Sequence, residues 1–223
     1  MPAKHEPVMM RHNAMHSADP MVPATTVVFF GISGAGKGTQ ADLLARHLAA
    51  IDPERPILRV DQGGLLRSRA GQDDELARRI TAIMAAGKLV PDFVATSLLA
   101  EYVSRHFSSE AHFIFDGVAR YDLQARMFDE LMVFFDRPDY TIIVLELSVA
   151  AAERRLALRR RSDEATEEQT RNRFGWWAEK TLPAIAMLEK MGRKVHRIDG
   201  SLPVDEVKNR ILQSLGLPER RPG

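Results

Sequence analysis

A glycine-rich segment directly after an apolar run restricts the fold of this chain more than any other feature of the sequence. Residues 27–30 read Val-Val-Phe-Phe, the composition of a buried strand, and residues 31–40 read Gly-Ile-Ser-Gly-Ala-Gly-Lys-Gly-Thr-Gln. Glycines let the chain turn so that backbone N–H groups converge in front of the next helix, whose dipole favours an anion there. Lys37 adds a full positive charge. The segment is therefore typical of a P-loop, which binds phosphate groups.

The loop departs from the strict P-loop pattern, because Gly38 occupies the hydroxyl position and Thr39 follows one residue later. A flexible linker is the plainest alternative, but a linker would not stand between a strand and a segment, 41–50, with helical spacing. A dinucleotide-binding loop is a stronger alternative, since Asp61 stands where a ribose-binding acid could lie. The glycine spacing differs from the G-x-G-x-x-G of such loops, which favours the P-loop.

The composition excludes several classes of protein. The chain has 223 residues, enough for one globular domain, and 45% of them are hydrophobic. It contains no cysteine, which rules out disulfides and thiolate metal sites and suits a reducing cytoplasm. A net charge of +1 provides no polycationic surface for nucleic acid. No apolar stretch approaches the roughly 20 residues that span a bilayer. We therefore expect a protein that binds neither nucleic acid nor a membrane.

Alternating strand and helix patterns predict a three-layer α/β/α fold around a parallel sheet of five strands. The predicted strands cover residues 25–30, 57–60, 112–115, 140–147 and 194–198. Between the second and third strands, helical patterns cover residues 62–71, 73–87 and 92–107. Because this stretch is too long for one crossover, it indicates a small helical insertion. We expect a tail at 1–24, a domain at 25–217 and a second tail at 218–223.

Local signals refine the second half of the chain. Ser148 can cap a helix that runs to about residue 161. Pro183 should kink a later helix, because proline lacks a backbone N–H and clashes with the preceding turn. Trp176 and Trp177 are expected to pack on the core and cover it, and not to form a platform on which a base stacks.

Four motifs follow one another along the chain. The first is the Gly-Lys-Gly-Thr-Gln ending of the loop, and the second is Gly-Gly-Leu-Leu-Arg at 63–67 with Gly-Lys-Leu-Val-Pro-Asp at 87–92. The third is Phe-Asp-Gly-Val-Ala-Arg at 115–120, with Gln124 downstream. The fourth is an arginine set followed by Ile-Asp-Gly at 198–200; the set comprises Arg155, Arg159, Arg161, Arg171 and Arg173. In this order and spacing, the motifs make residues 25–217 resemble the adenylate kinase and nucleoside monophosphate kinase family.

The resemblance implies a P-loop kinase with a short lid and gives roles to individual residues. The donor nucleotide would be bound by Gly34, Ala35, Gly36, Lys37, Gly38, Thr39, Arg155 and Gly200. The acceptor nucleoside monophosphate (NMP) would be bound by Gly63, Arg67, Lys88, Leu89, Val90, Gly117, Arg120 and Gln124, with residues 61–92 as the NMP-binding insertion. The catalytic residues would be Lys37, Arg120, Arg159, Arg161 and Arg173, with residues 160–167 as the lid. Asp116 and Thr39 would hold the Mg²⁺ that accompanies ATP, and the short, cysteine-free lid implies that no zinc is bound.

By the same resemblance, the expected reaction is reversible transfer of the γ-phosphoryl group of ATP to a nucleoside monophosphate. The reaction brings two polyanions together, and arginine forks can pair with phosphate oxygens and remain charged when buried. Gln124 corresponds to the glutamine that reads the acceptor adenine in adenylate kinases, which favours AMP. We also expect, on the resemblance alone, a monomer in the cytoplasm.

The acceptor half of the pattern departs from the family. Gly64 stands where the family usually has aspartate, Gln62 replaces threonine, and Val118 and Ala119 replace phenylalanine and proline at the acceptor base. A glutamine can also serve other bases by turning its amide. Two alternatives therefore remain: a kinase for another monophosphate or a small phosphorylated metabolite, and a nucleotide-binding module whose acceptor site has decayed. The retained arginines argue against the module.

Overall fold

A computed structural model of the chain describes residues 22–158 and 167–218. The strands are Thr26–Gly31 (β1), Ile57–Asp61 (β2), His112–Asp116 (β3), Thr141–Glu146 (β4) and Lys194–Asp199 (β5). The α-helices are Lys37–Ile51 (α1), Gln62–Ala70 (α2), Glu75–Ala85 (α3), Asp92–His106 (α4), Asp122–Phe134 (α5), Val149–Leu158 (α6), Glu167–Trp176 (α7), Leu182–Lys190 (α8) and Val204–Ser214 (α9). Each predicted strand is confirmed to within one residue at either end.

All strands of the sheet are parallel, in the order β2-β3-β1-β4-β5. β1 lies at the centre, and each of its residues is buried. The chain leaves β1 between β3 on one side and β4 on the other, so the strand order reverses there. In open parallel sheets, ligands bind in the crevice at the carboxyl ends of the strands where this reversal occurs. The topology confirms the predicted α/β class and places the glycine-rich loop at that crevice.

Side chains of β1 alternate between two hydrophobic clusters, one on each face of the sheet. Val28 and Phe30 point to a cluster that α4, α5 and α8 cover. Val27 and Phe29 point to a second cluster covered by α1, α6 and α9. The sheet is thus enclosed by helices on both faces, which is why β1 reads as a continuous apolar run and not as an alternating one.

The helices between β2 and β3 form the insertion that the sequence pattern indicates. α2, α3 and α4 lie within two residues of the predicted helical segments. A third, smaller cluster centred on Ile80, Val90 and Val94 packs these helices together. The insertion therefore has its own hydrophobic packing at the carboxyl edge of the sheet.

The helix that contains Pro183 contains a π-helix in addition to α-helical turns. Residues Trp177–Thr181 form the π-helix, and Pro183 lies in the first turn of α8 immediately after it. The predicted disturbance at Pro183 takes this form because a proline cannot donate to the preceding turn, and the chain widens where that hydrogen bond is lost. Ser148 caps α6 as predicted, since its Oγ accepts from the N–H of Ala151 at 3.3 Å. The expected helix end near residue 161 lies outside the described residues.

Candidate active site

A cleft of about 660 Å³ opens at the carboxyl edge of the sheet, a volume typical of small-molecule sites. It lies between the glycine-rich loop on one side and the helical insertion on the other. The predicted site residues that border it are Gly34, Gly36, Lys37, Gly38, Thr39, Gly63, Arg67, Lys88, Leu89, Val90, Asp116, Gly117, Arg120, Gln124 and Arg173. The fold therefore brings together residues from distant parts of the chain.

The glycine-rich loop forms a compact turn closed by its own backbone. The N–H of Ala35 donates to the carbonyl of Ile32 at 3.0 Å. Gly34 and Gly36 have φ angles of 87° and 94°, in the left-handed region that favours glycine. Lys37 Nζ donates to the carbonyl oxygen of Gly31 at 2.9 Å, so its side chain folds back over the loop. The loop thus presents the first turn of α1 and an ammonium group to the cleft.

Three predicted donor-site residues lie beside the cleft without bordering it. Ala35 is buried beneath the loop. Arg155 in α6 donates from Nη2 to the carbonyl oxygen of Gly200 at 2.8 Å. A Cβ at Gly200 would lie 3.0 Å from the carbonyl oxygen of Glu146 and 3.4 Å from that of Ala35, so the backbone behind the loop is closely packed. These residues support the loop from behind.

The carboxyl ends of β2 and β3 bring two aspartates side by side. Asp61 and Asp116 are register partners in the parallel pair, and both border the cleft. Asp116 lies against the loop, since a Cβ at Gly38 would be 3.5 Å from its Oδ2. Within the described ranges, no three acidic or histidine side chains converge as a ready metal-ligand set.

Asp61 also organises α2. Its Oδ1 accepts from the N–H of Gly63 at 3.0 Å, which caps the helix, and its Oδ2 pairs with Nη2 of Arg67 at 3.0 Å. A Cβ at Gly64 would lie 3.0 Å from Oδ2 of Asp61. The Asp61 carboxylate therefore occupies the space next to position 64, where the family pattern has its own aspartate. The role of Asp61 was not among the predictions, although an acid just before a helical pattern is a capping signal.

Arg120 is held by three different segments. Its Nε donates to the carbonyl of Gly117 at 2.8 Å, its backbone N–H donates to Oε1 of Gln124 at 3.0 Å, and its carbonyl accepts from Oγ1 of Thr181 at 3.1 Å. The residue before it, Ala119, has a φ of 55°, which is strained for an alanine. No local sequence pattern points to Thr181, because its hydrogen-bond partner Arg120 is 61 positions away in the chain.

Burial lowers the pKa of Arg120, and the nearby Arg173 guanidinium lowers it further, whereas Asp116 and Asp61 act in the opposite direction. An arginine nevertheless remains protonated at any physiological pH. Two guanidinium groups thus face the same cleft beside two carboxylates. This is an arrangement suited to an additional polyanion, because the carboxylates alone do not neutralise a set of arginines that also includes Arg67.

α7 contacts the insertion at the edge of the cleft. Gln169 Nε2 donates to the carbonyl oxygen of Ala85 at 2.6 Å. A Cβ at Gly87 would lie 2.5 Å from Cγ of Gln169, and Gly87 has a φ of 64°, so only glycine fits there. Arg173 lies on the same helix and borders the cleft. The predicted catalytic residues Arg159 and Arg161, and the predicted lid except for Glu167, lie outside the described residues.

Trp176, Trp177 and Arg59 also line the cleft. Trp177 packs against both sheet-face clusters as well, in agreement with its predicted covering role. Arg59 on β2 also borders the cleft, pairing through Nε with Asp42 at 2.8 Å and donating to the carbonyl oxygen of Gly38 at 3.3 Å. Alternation along β2, where Leu58 points to the first cluster, could have identified Arg59 on the loop side.

None of the helices in the described ranges has the length and apolar character needed to cross a bilayer.

Comparison with known proteins identifies the family of this chain. A family model described as adenylate kinase matches residues 29–193. A protein named adenylate kinase from Thermobifida fusca is 34% identical over 194 residues, covering 85% of this chain and 97% of that protein. Adenylate kinase 1 from Synechocystis is 32% identical, and an adenylate kinase from Thermus thermophilus is 33% identical, each covering 86% of this chain and 97% of the relative. With that match extending over the loop, the insertion and Arg173, the chain belongs to the adenylate kinase family.

Proposed function

We propose that the cleft is where this chain, as a nucleoside monophosphate kinase, transfers the γ-phosphoryl group of ATP to AMP, in the reaction ATP + AMP = 2 ADP. The observation that carries the proposal is the pairing of a phosphate loop with arginines from three other segments around one cleft. Lys37 stands on the loop side, and Arg67, Arg120 and Arg173 stand on the insertion side and on α7. Two phosphate chains can thus be bound face to face.

In this assignment the donor half consists of the loop residues from Gly34 to Thr39, with Arg155 and Gly200 supporting them. Backbone N–H groups of the loop and the N-terminus of α1 bind phosphate oxygens. Lys37 is held next to them by the carbonyl oxygen of Gly31 and can exchange this neutral partner for a charged one. The donor triphosphate would therefore lie over the loop with its terminal phosphate directed at the centre of the cleft.

The acceptor half consists of the helical insertion 61–92 and the segment from Gly117 to Gln124. Arg67 and Arg120 would bind the acceptor phosphate, since a guanidinium fork matches two phosphate oxygens. Lys88, Leu89, Val90 and Gln124 all border the cleft. The acceptor base would meet the Gln124 amide.

Catalysis in this site would depend on position and charge. The transferring group carries negative charge on three oxygens, and arginines placed on both sides of it cancel the repulsion between the two nucleotides. Arg120 and Arg173 both border the cleft, and the charge of Arg173 acts to lower the pKa of Arg120, so the two guanidinium groups act on the same part of the cleft. The contact between α7 and the insertion would help to exclude water, which would otherwise accept the phosphoryl group.

Mg²⁺ fits the donor set that borders the loop. The Asp116 carboxylate lies against the loop, and Thr39 supplies a hydroxyl at the start of α1. Carboxylate and hydroxyl oxygens are ligands that this hard cation prefers, and it usually keeps several waters and binds the nucleotide phosphates as well. When bound, Mg²⁺ neutralises charge on the β- and γ-phosphates. Asp116 and Thr39 are therefore the residues we assign to it.

A coupled assay of ADP formation tests the assignment. We expect turnover with AMP, compared with CMP, UMP, GMP and dTMP, and none above background in a Lys37→Met variant. The arginine set disfavours a decayed module, because a protein that only bound ATP would not need guanidinium groups in the opposite half. Absence of turnover with every acceptor would contradict the proposal, and turnover with another monophosphate in preference to AMP would identify a different kinase.

We further propose that the enzyme works as a monomer in the cytoplasm. The lack of cysteine suits a reducing compartment. Light scattering on the purified protein, with and without nucleotide, tests the monomer: a mass near 25.0 kDa is expected, and twice that mass would contradict it.

A further inference from the structure

The side-chain amide of Gln124 is anchored at both ends. Its Oε1 accepts from the backbone N–H of Arg120 at 3.0 Å, and its Nε2 donates to Oδ1 of Asp92 at 2.8 Å. A backbone N–H can only donate, and a carboxylate can only accept. Turning the amide over would place donor against donor and acceptor against acceptor. The two anchors therefore fix which end of the Gln124 amide is oxygen and which is nitrogen.

Asp92 reaches this amide from a different part of the fold. It is the first residue of α4, whereas Gln124 lies in the first turn of α5, 32 positions later. The negative charge of Asp92 also contributes, after burial, to raising the pKa of neighbouring Tyr121. Gln124 itself is only 7% exposed. A buried amide with a charged partner has little freedom to rearrange, because any other orientation leaves polar groups unsatisfied.

The fixed amide keeps one N–H and one oxygen lone pair for a ligand, in a set order. Adenine presents an amino donor at C6 beside a ring-nitrogen acceptor, which matches that order. Hypoxanthine, the base of inosine monophosphate (IMP), has the same ring system with an oxygen at C6. That oxygen is an acceptor, and it would meet the carbonyl oxygen of the amide. Only an inverted amide would match the 6-oxo base.

We infer that Asp92 is a positioning residue for base specificity at the acceptor site: together with the backbone N–H of Arg120, it holds the Gln124 amide in the orientation that accepts 6-amino and rejects 6-oxo purines. The inference rests on the proposed function, in which the acceptor base meets Gln124. Asp92 acts through Gln124 and does not itself contact the base. It thereby removes the ambiguity that a glutamine has in the sequence, where the amide is free to serve either kind of base.

Asp92→Asn tests the inference, because asparagine is nearly the same size but its side chain both donates and accepts. An asparagine can match either end of the Gln124 amide, so turning this amide over would then cost only the hydrogen bond from the backbone N–H of Arg120, and not both anchors. The matched control is Asp122→Asn, the same change in the first turn of the neighbouring helix α5, where the carboxylate pairs with exposed Arg126 at 3.0 Å. For each protein, kcat and KM are measured with AMP and with IMP, together with the affinity for ATP by calorimetry.

We expect the ratio of kcat/KM for AMP to that for IMP to fall about tenfold in Asp92→Asn, the scale of discrimination that one bidentate base contact provides. The change should come from KM for the two acceptors, with ATP affinity and the Asp122→Asn control unaltered. An unchanged ratio in an Asp92→Asn enzyme that still uses AMP would overturn the inference, and so would a parallel loss with both acceptors. Failure of the wild-type enzyme to use AMP would instead contradict the proposed function.

Discussion

The donor half of the cleft is built mainly from the backbone of one continuous segment, whereas the acceptor half is built from side chains that meet across distant segments. In the donor half, Gly34, Gly36 and Lys37 are close in sequence, and Lys37 bonds to the loop's own carbonyls. In the acceptor half, Arg120 is held by Thr181, and Gln124 is held by Asp92. A phosphate site formed by backbone N–H groups requires a fixed pattern of residues in one segment. A site formed by side chains can replace one contributing residue by another and keep its function.

The positions at which the chain departs from the family pattern follow this division. The Asp61 carboxylate lies beside position 64, where the pattern has aspartate and this chain has glycine. Ala119 replaces a proline and adopts a left-handed conformation next to Arg120. Both changes lie in the acceptor half, and each is accompanied by a neighbouring contact that holds an arginine.

The largest expected effect comes from removing the arginine at the centre of the acceptor half. Arg120→Ala should lower kcat by roughly 10³ to 10⁵, as expected for an arginine that stabilises a phosphoryl-transfer transition state. ATP affinity, a property of the other half, should stay within a factor of about two by calorimetry. Arg126→Ala is the control, since Arg126 is an exposed arginine on the helix that follows Arg120, α5, and pairs only with Asp122 in the contacts described.

An unchanged kcat of Arg120→Ala at saturating AMP would remove Arg120 from catalysis. A large loss of ATP affinity would show that the two halves are not separable in the way described. Thermal unfolding of both variants separates either result from a failure to fold.

A smaller effect is expected where α7 contacts the insertion. Gly87→Ala would place a methyl group 2.5 Å from Cγ and 3.0 Å from Cα of Gln169, so α7 must shift. Gly216→Ala is a closely matched control, because Gly216 has the same φ of 64° with nothing within 4 Å of its added Cβ. Both changes should cost about 1 kcal/mol of stability through backbone strain. Gly87→Ala alone should lower the free energy of unfolding by about 1 kcal/mol more, because the added methyl group overpacks against Gln169.

Turnover distinguishes the Gly87 and Gly216 variants as well. We expect Gly87→Ala to raise KM for AMP and to leave KM for ATP nearly unchanged, since the shift occurs on the acceptor side. Denaturant unfolding and steady-state kinetics check both statements. If the two glycine variants have the same stability and the same KM for AMP, the contact between Gly87 and Gln169 does not contribute to function.

The smallest effect is expected at the strained alanine. Ala119→Gly should relieve a φ of 55° and stabilise the protein by up to about 1 kcal/mol, part of which is lost to the greater freedom of glycine in the unfolded chain. Asp136, with a φ of 56°, is the other non-glycine residue of the described ranges in this region. Asp136→Gly should gain less, because aspartate tolerates the left-handed region better than alanine.

Urea unfolding measures these two free energies. Kinetics then tell whether the strain at Ala119 serves Arg120: a drop in kcat of the more stable Ala119→Gly variant would indicate that it does. A loss of stability in Ala119→Gly would contradict the strain itself.

Sequence patterns predicted the sheet well because buried parallel strands have a strong signal. All five strands read as short apolar or β-branched runs, and each matches to within one residue. The loop was equally clear, since its glycines serve a backbone conformation that few other residues adopt. The helical insertion followed from three helical patterns in a connection too long for one crossover.

Contacts between side chains of different segments could not be predicted in the same way. The Asp61–Arg67 pair could have been predicted from the sequence, because Asp61 is the N-cap of α2 and Arg67 lies in the same helix, six positions later. The Asp92–Gln124 and Thr181–Arg120 contacts depend on how α4, α5 and the π-helix pack, which no local pattern encodes. The π-helix itself was expected only as a kink at Pro183, since sequence shows where a hydrogen bond is lost and not how the chain adjusts.

The Lys37 side chain, folded onto the carbonyl oxygens of Gly31 and Ile32, has a thermodynamic consequence for nucleotide affinity. A free lysine loses up to about 2 kcal/mol of rotamer entropy when it is immobilised. Here most of the rotamer entropy of the Lys37 side chain is already lost when the protein folds, so it is not lost again when the triphosphate binds. Nucleotide association should accordingly show a smaller entropic penalty than a mobile lysine would impose, and a correspondingly larger share of the contact energy appears as affinity.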